Sequence, residues 1–151
     1  MLEFNAVSAL YLAYFNRPAD PDGLVYWTNR LDAGASFFDL ARDFATTEEA
    51  TALYPSLAQG GGTPDGFVRN IFANIYTRFP TVEDAGYWLA ELEGGKPAWQ
   101  ALVELILAAQ GSDIDFMAIK LEVSLYITGQ IVESGEPYDT ATARWLLSHA
   151  S

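Results

Sequence analysis

One stretch of this chain returns later as a weaker copy, and this repetition limits the folds that the chain can adopt. The first copy, Arg17–Trp27, reads Arg-Pro-Ala-Asp-Pro-Asp-Gly-Leu-Val-Tyr-Trp, and the second, Arg78–Trp88, reads Arg-Phe-Pro-Thr-Val-Glu-Asp-Ala-Gly-Tyr-Trp. The copies lie 61 residues apart, and the same offset aligns apolar and aromatic positions on both sides of them without a gap. We therefore predict two tandem repeats that share one core.

Each copy carries the signals of one helix ending and another beginning. Apolar residues recur at helical spacing from Asn5 to Asn16, and the prolines that follow disfavour helical geometry in the residues before them. Asp20 is predicted to cap the next helix, and Thr81 takes that place in the second copy. No segment alternates with period two between hairpin turns, so the sequence predicts an all-α fold.

The two repeats and the remaining sequence divide the chain into four parts. We predict repeat one at about 5–54, a glycine-rich linker at 55–64, repeat two at about 65–111, and C-terminal helices at about 112–150. At 151 residues and 50% apolar content, the chain is long enough for these parts to form one compact domain over 1–151. The longest predicted helix, about 112–132, is apolar on much of its circumference, which predicts the central packing element.

The charge balance and the missing cysteines exclude several classes of partner and site. Twenty acidic against eight basic residues give a net charge of -12, which repels nucleic acid and anionic lipid. Without cysteine there is no disulfide, zinc–thiolate site or thiol catalysis, and export to an oxidising space is compatible. No apolar run approaches the roughly 20 residues of a membrane helix, so we expect no membrane insertion.

The first copy resembles a known family signature. Arg17–Trp27, preceded by aromatic residues one and two helical turns earlier, resembles the bacterial domain-of-unknown-function family numbered 4214. The second copy keeps Arg78, Tyr87, Trp88 and their spacing. It departs from the signature at Phe79, Thr81, Val82 and Asp84. With Ile119–Tyr126, which is similar to a helix that often follows such repeats, the resemblance covers roughly 5–132.

The resemblance indicates the kinds of protein in which such a module occurs, but not a reaction that it catalyses. It implies a small helical module, distantly similar to the phycobilisome linker domain, within large secreted or surface proteins. These include calcium-dependent repeat (RTX-type) proteins of type I secretion, adhesins and S-layer-like proteins. It brings no catalytic residues.

Eight residues in the two copies are candidates for ligand binding. They are Arg17, Asp20, Asp22, Tyr26, Trp27, Arg78, Tyr87 and Trp88. The Tyr–Trp pairs suit stacking on sugar rings or anchoring a core, and neighbours on a helix point about 100° apart, so one ring of each pair can be buried. The arginines suit an anionic ligand, or hydrogen bonds to helix carbonyls and a nearby carboxylate. Asp20 and Asp22 suit helix capping.

Metal binding and catalysis find less support in the sequence. Calcium is an alternative ligand for so acidic a chain, but neither Asp20–Gly23 nor Asp113–Asp115 supplies the oxygen set of an EF-hand, and no metal site is predicted. His149 is the lone histidine and lies at the end of the chain, which argues against a catalytic triad. A carboxylate pair for glycoside hydrolysis is the remaining enzymatic alternative. Its candidates are Glu83, Asp84, Glu91, Glu93, Glu104 and Glu122.

The sequence therefore predicts a non-catalytic interaction module of a secreted or cell-surface bacterial protein. We expect it to join a cell-surface or matrix protein, or neighbouring domains of a larger chain. The main alternative is a glycan-binding module that holds a polysaccharide by exposed aromatic rings and carboxylates. No cofactor is expected.

Overall fold

The computed structural model describes residues 3–149, and within this range it contains nine α-helices and no strand. The helices are α1 Glu3–Phe15, α2 Pro21–Asp32, α3 Phe37–Ala45, α4 Glu48–Leu53, α5 Pro64–Ile71, α6 Val82–Glu93, α7 Ala98–Leu107, α8 Ser112–Ser134 and α9 Thr140–His149. A short 3-10 turn, Pro55–Leu57, follows α4, and a π-helical turn, Phe72–Tyr76, extends α5. The all-α prediction is confirmed. Residues 1, 2, 150 and 151, at the ends of the predicted domain, lie outside the described residues.

Helix α1 occupies the centre of the fold. Every residue from Val7 to Phe15 is buried, and the core around α1 draws on α3, α4, α5, α7 and the π-helical turn. The Tyr14 hydroxyl donates a 2.6 Å hydrogen bond to the Trp99 carbonyl oxygen, which ties α1 to α7. Helix α1, which comes from the first half of the chain, thus packs its apolar side chains against helices of both halves.

The prediction that the helix after residue 111 is the central packing element is wrong. On α8 only Ser124, Ile127 and Thr128 are buried among the described side chains. Leu12 of α1, Ile127 of α8 and Leu147 of α9 form a small second apolar cluster. Helix α8 therefore docks on α1 by one face, and the apolar residues around the rest of its circumference remain outside the core.

Local features recur at the predicted offset of 61 residues. Helices α2 and α6 are both 12 residues long, and they begin 61 residues apart. The residues that end the preceding helices, Asn16 and Thr77, have positive φ angles of 51° and 57°. Gly34 and Gly95, in the turns after α2 and α6, have φ angles of 108° and 103°. These parallels support the predicted duplication.

The N-termini of α2 and α6 are capped by the residues that the sequence predicts. The Asp20 carboxylate accepts from the Gly23 amide at 2.9 Å, and Thr81 forms a capping box with Asp84. Such caps satisfy amides that the first helical turn leaves without partners. In the described range, no helix combines the length and the apolar character needed to span a bilayer.

Candidate functional site

The first corner, residues 17–27, is built on a buried arginine. Arg17 is 7% exposed, and its Nε and Nη2 donate to the two Glu49 carboxylate oxygens at 2.7 and 3.0 Å. Its Nη1 donates to the Pro18 carbonyl oxygen at 3.2 Å, to the Tyr138 hydroxyl at 3.0 Å and to Asp20 at 3.4 Å. Burial alone would lower the pKa of Arg17, but Glu49 and Tyr138 raise it above its ordinary value and keep the guanidinium charged.

The C-terminal helices close this corner from outside. Arg144 of α9 donates to Glu49 at 3.0 Å and to the Phe15 carbonyl oxygen at 2.8 Å. Thr128 of α8 donates to the Ala19 carbonyl oxygen at 2.7 Å, and Tyr138 donates to that of Pro18 at 2.6 Å. Arg17 is therefore occupied by structural partners.

The second corner, residues 78–88, repeats the plan with different partners. Arg78 donates from Nε and Nη2 to Asp113, at the start of α8, at 2.9 and 2.7 Å. Its Nη1 donates to the Phe79 carbonyl oxygen at 3.0 Å and to Asp84 at 3.1 Å. The Arg78 side chain is 34% exposed, against 9% for that of Arg17. Each arginine thus bonds the carbonyl of the following residue, not one of the preceding helix.

A close contact at Gly23 accounts for the different position of the carboxylate that accepts from Nη1, which is Asp20 at the first corner and Asp84 at the second. A Cβ atom on Gly23 would lie 2.0 Å from the Tyr11 hydroxyl oxygen, so no larger residue fits without a shift. In the second corner Phe72 replaces Tyr11 and lacks the hydroxyl, and Asp84 stands where Gly23 stood. The carboxylate that pairs with the arginine has moved one helical turn, from the N-cap into the helix.

The Tyr–Trp pairs place one ring inside and one outside. The rings of Tyr26 and Trp27 are nearly perpendicular, at 83° and 5.0 Å between centroids, and those of Tyr87 and Trp88 lie at 90° and 4.9 Å. Both tyrosines are exposed, at 57% and 56%, whereas Trp88 is buried and Trp27 packs 4.7 Å from the Phe44 ring. The tyrosines are the rings of each pair that a ligand can reach.

A cation covers each tryptophan. The Arg30 guanidinium lies 5.2 Å from the Trp27 ring centroid, and the Lys96 ammonium lies 5.9 Å from that of Trp88. Arg30 pairs with Asp43 at 2.6 Å, whereas Lys96 pairs with Glu104 and, at 3.0 Å, with Glu91. Because these ion pairs hold the cations in place, the tryptophan faces that they cover are occupied.

An open cleft of about 630 Å³ lies beside the second corner. It is lined by Glu83, Asp84, Tyr87, Trp88, Lys96, Glu104, Leu107, Ala108, Gln110 and Asp113. Four of these residues are acidic and one is basic. Glu83, Tyr87 and Gln110 are exposed, which leaves an aromatic ring beside a carboxylate and an amide at the surface of the cleft.

Ion pairs and hydrogen bonds keep two of the cleft carboxyls ionised. The hydrogen bond from Lys96 lowers the pKa of Glu104. Partial burial alone would raise the pKa of Asp84, but the hydrogen bonds from Thr81 and the pairing with Arg78 outweigh it and lower that pKa. Both groups are therefore hydrogen-bond acceptors at neutral pH.

The eight predicted binding residues thus fall into two groups. Arg17, Asp20, Asp22, Tyr26 and Trp27 belong to the first corner, where Asp22 is exposed in the first turn of α2. Tyr87 and Trp88 line the cleft, and Arg78 stands behind it, bound to Asp84 and Asp113. The lone histidine lies elsewhere, with its ring stacked on Trp145 at 4.3 Å between centroids. Among residues 3–149, no three side chains of the metal-ligating types come together.

The match to a known protein family lies in the part of the chain predicted as the first repeat. Residues 4–54 match the model of a family described as Domain of unknown function (DUF4214). This segment is similar to the DUF4214 family. The match confirms the resemblance seen in Arg17–Trp27, whereas the second corner lies outside the matched range. No curated protein and no solved structure matches the chain.

A second exposed feature lies on the last two helices, α8 and α9. Large apolar side chains on the outer surface of α8 and α9 are exposed. They are Ile114, Phe116, Ile119, Tyr126, Val132, Trp145 and Leu146. The sequence prediction placed α8 in the core and so missed this surface. The available signal was the apolar content around the whole circumference of α8, more than one docking face can bury.

Proposed function

We propose that the chain is a non-catalytic interaction module of a secreted or cell-surface bacterial protein, and that it binds a protein or matrix partner through α8 and α9. The observation that carries this proposal is the exposed apolar surface of these two helices, on which Tyr126 is 67% and Trp145 58% exposed. Exposed apolar surface that extends across neighbouring helices, as Tyr126 and Leu146 do where they line one groove, is characteristic of interaction sites.

The energetics of this surface favour a binding role. Fully burying a large apolar side chain stabilises by about 1.5–3 kcal/mol relative to leaving it exposed. The fold has a separate core around α1, so the outer side chains of α8 and α9 contribute little to that core. A partner that covers several of them gains a large part of its binding free energy from this burial.

The proposed setting rests on the family and on composition. The DUF4214 match agrees with a resemblance that implies large secreted and surface proteins of the adhesin, S-layer-like or RTX type. The chain has no cysteine, which suits an oxidising space outside the cell. In this setting, neighbouring domains of a longer chain are a further class of partner.

Glycan binding is the second candidate, and the cleft beside the second corner favours it. Tyr87 offers an exposed ring, and Glu83 and Gln110 offer exposed polar groups at the same surface. Aromatic faces contact sugar C–H groups while carboxylates and amides accept or donate hydrogen bonds to hydroxyls. An exopolysaccharide is the class of ligand that fits this chemistry.

Binding is a better reading of the cleft than hydrolysis. A glycoside hydrolase needs one carboxyl with a raised pKa to protonate the leaving oxygen. In the cleft, the pKa values of Asp84 and Glu104 are lowered, and their ion pairs hold them to Arg78 and Lys96. The carboxylates are arranged as acceptors, so catalysis is not part of the proposal.

A retention experiment tests the proposal and separates it from the glycan alternative. Fluorescently labelled protein is incubated with washed cells and matrix of the producing bacterium, and the retained fraction is measured with calcium and with a chelator. We compare the wild type with Ile119→Asp/Tyr126→Asp on α8, with Ile114→Asp/Val132→Asp on another side of α8, and with Tyr87→Ala in the cleft. Circular dichroism verifies that each variant folds.

The proposal predicts that retention falls severalfold in the Ile119→Asp/Tyr126→Asp variant and is kept in Tyr87→Ala. The opposite pattern would replace protein association by glycan binding. Equal retention in all variants, or no retention of the wild type, would contradict both. A dependence of retention on calcium would add a metal requirement to whichever surface is used.

A further inference from the structure

Part of the exposed surface of α8 has the spacing of a helix-pairing seam. Phe116, Ile119, Val123 and Tyr126 follow one another at intervals of three, four and three residues, which are the a and d positions of a heptad. Phe116, Ile119 and Tyr126 are exposed, and Val123 is half-buried. We call these four residues the stripe. At 100° per residue they share one side of the helix, beside the face that packs on α1.

The stripe continues into a groove between α8 and α9. This groove has a volume of about 330 Å³ and is lined by Tyr126, Ile127, Gln130, Ile131, Ser134 and Leu146. The exposed side chain of Leu146 thus extends the apolar surface from α8 onto α9. Between residues 116 and 130 the surface runs for about 21 Å along the helix axis, which is the length of about four helical turns.

One edge of the stripe is acidic. Asp115, Glu122 and Glu133 project from α8 within about 20° of one another, next to Ile119 and Tyr126. All three are exposed, and none forms an ion pair or a side-chain hydrogen bond with another described residue. A row of uncompensated carboxylates beside an apolar stripe favours a partner with positive charge at the matching edge.

The other edge of the stripe offers no compensating cation. Lys120 lies on that side, but it is half-buried and its ammonium donates to the Asn74 carbonyl oxygen of the π-helical turn. A second copy docked antiparallel on the stripe would therefore place the two acidic edges side by side. In a parallel pair the acidic edge of one copy would face Lys120 of the other, and this lysine already donates to Asn74. Each copy also carries a net charge of -12. These charges disfavour self-association and anionic membranes alike.

We propose that the stripe binds a basic amphipathic helix of a partner protein, with apolar residues at alternating intervals of three and four and with lysines or arginines along the edge that faces Asp115, Glu122 and Glu133. The inference rests on the proposed function, because it names the chemistry of the partner at the same surface. Helix-in-groove recognition of this kind uses anchors at i, i+3, i+4 and i+7.

Two model peptides test the charge and the spacing separately from any natural partner. The basic peptide has about three heptads with leucine at a and d and lysine at e and g, and the control peptide has glutamate in place of lysine. Binding of each fluorescently labelled peptide to the wild-type protein is measured by anisotropy over a range of salt concentrations. We expect the basic peptide to bind with a salt-dependent affinity and the acidic peptide to bind at least about tenfold more weakly.

Matched variants locate the binding on the stripe. Ile119→Asp/Tyr126→Asp should weaken binding of the basic peptide at least about tenfold more than Ile114→Asp/Val132→Asp, although both pairs add the same charge to exposed positions of one helix. Asp115→Lys/Glu122→Lys should weaken it more than Asp32→Lys/Glu93→Lys, which makes the same charge change on α2 and α6. Circular dichroism and thermal unfolding confirm that each variant folds.

Several outcomes would overturn this inference. They are failure of the basic peptide to bind the wild type, equal loss in the stripe and control variants, and equal binding of the acidic peptide. Sedimentation that shows dimers of the wild type, but not of Ile119→Asp/Tyr126→Asp, would assign the stripe to a second copy instead. If cells retain the protein through the stripe while the basic peptide does not bind, the proposed function survives and the helix inference fails.

Discussion

The two corners, residues 17–27 and 78–88, share the same arrangement of side chains and differ in the elements that cover them. In each, an arginine bonds the carbonyl of the next residue and a bidentate carboxylate, and a perpendicular Tyr–Trp pair follows on the next helix. At the first corner the loop between α8 and α9 adds Tyr138 and α9 adds Arg144, and Arg17 is buried. At the second, Arg78 stands beside an open cleft. The same arrangement is thus covered by other elements at residues 17–27 and lies at the surface at residues 78–88.

The largest expected difference between the corners is the cost of removing the arginine. Arg17→Ala leaves the partly buried Glu49 facing only Arg144 and removes the bonds that the arginine donates to Pro18, Asp20 and Tyr138, so we expect a loss of about 3–5 kcal/mol in unfolding free energy. Arg78→Ala removes a more exposed guanidinium, but it leaves Asp113, whose side chain is 14% exposed, without an ion-pair partner, so we expect a smaller loss of about 1–3 kcal/mol. Urea unfolding of the two variants measures both values. Equal costs would contradict the distinction between a closed and an open corner.

A smaller effect tests why glycine stands at one corner and aspartate at the other. Gly23→Ala places a Cβ atom against the Tyr11 hydroxyl and should cost about 1–3 kcal/mol through overpacking. In a Tyr11→Phe background, which copies Phe72 at the corresponding position, the same change should cost less, and the remaining cost comes from the Asp20 carboxylate oxygen that lies 2.8 Å from the added atom.

The control for this pair of variants is Gly86→Ala in α6, where nothing lies within 4 Å of the added atom. It should stabilise by about 0.5–1 kcal/mol, as expected for alanine in place of glycine inside a helix. Thermal or urea unfolding gives all the values. A cost of Gly23→Ala that does not change in the Tyr11→Phe background would show that the hydroxyl is not the obstacle.

The helix ends were predictable from sequence because their signals are local. Asp20 and Thr81 each cap the helix predicted for them, since a capping side chain and its amide lie within three residues. The all-α class and the family resemblance of the first repeat follow from the same local patterns. That only one ring of each Tyr–Trp pair points inward follows from the 100° turn between neighbours on a helix, whereas this turn does not decide which ring it is.

The closing of the first corner and the exposure of α8 were not predictable in this way. Arg17 and Tyr138 are 121 residues apart in the chain, and no local pattern connects them. For α8, apolar residues around the whole circumference do not indicate which face docks. Docking on α1 is decided by the shape of a core that residues from both repeats build. The cleft likewise depends on α7 and the start of α8 meeting the second corner.

Amide hydrogen exchange measured by mass spectrometry compares the two corners most directly. We predict that peptides covering residues 17–24 exchange more slowly than those covering 78–85, because the C-terminal helices close the first corner. In a Tyr138→Ala/Arg144→Ala variant, exchange at 17–24 should rise toward the rate at 78–85, while exchange at 78–85 stays the same. Equal exchange at the two corners of the wild type, or a rise at both in the variant, would contradict the account.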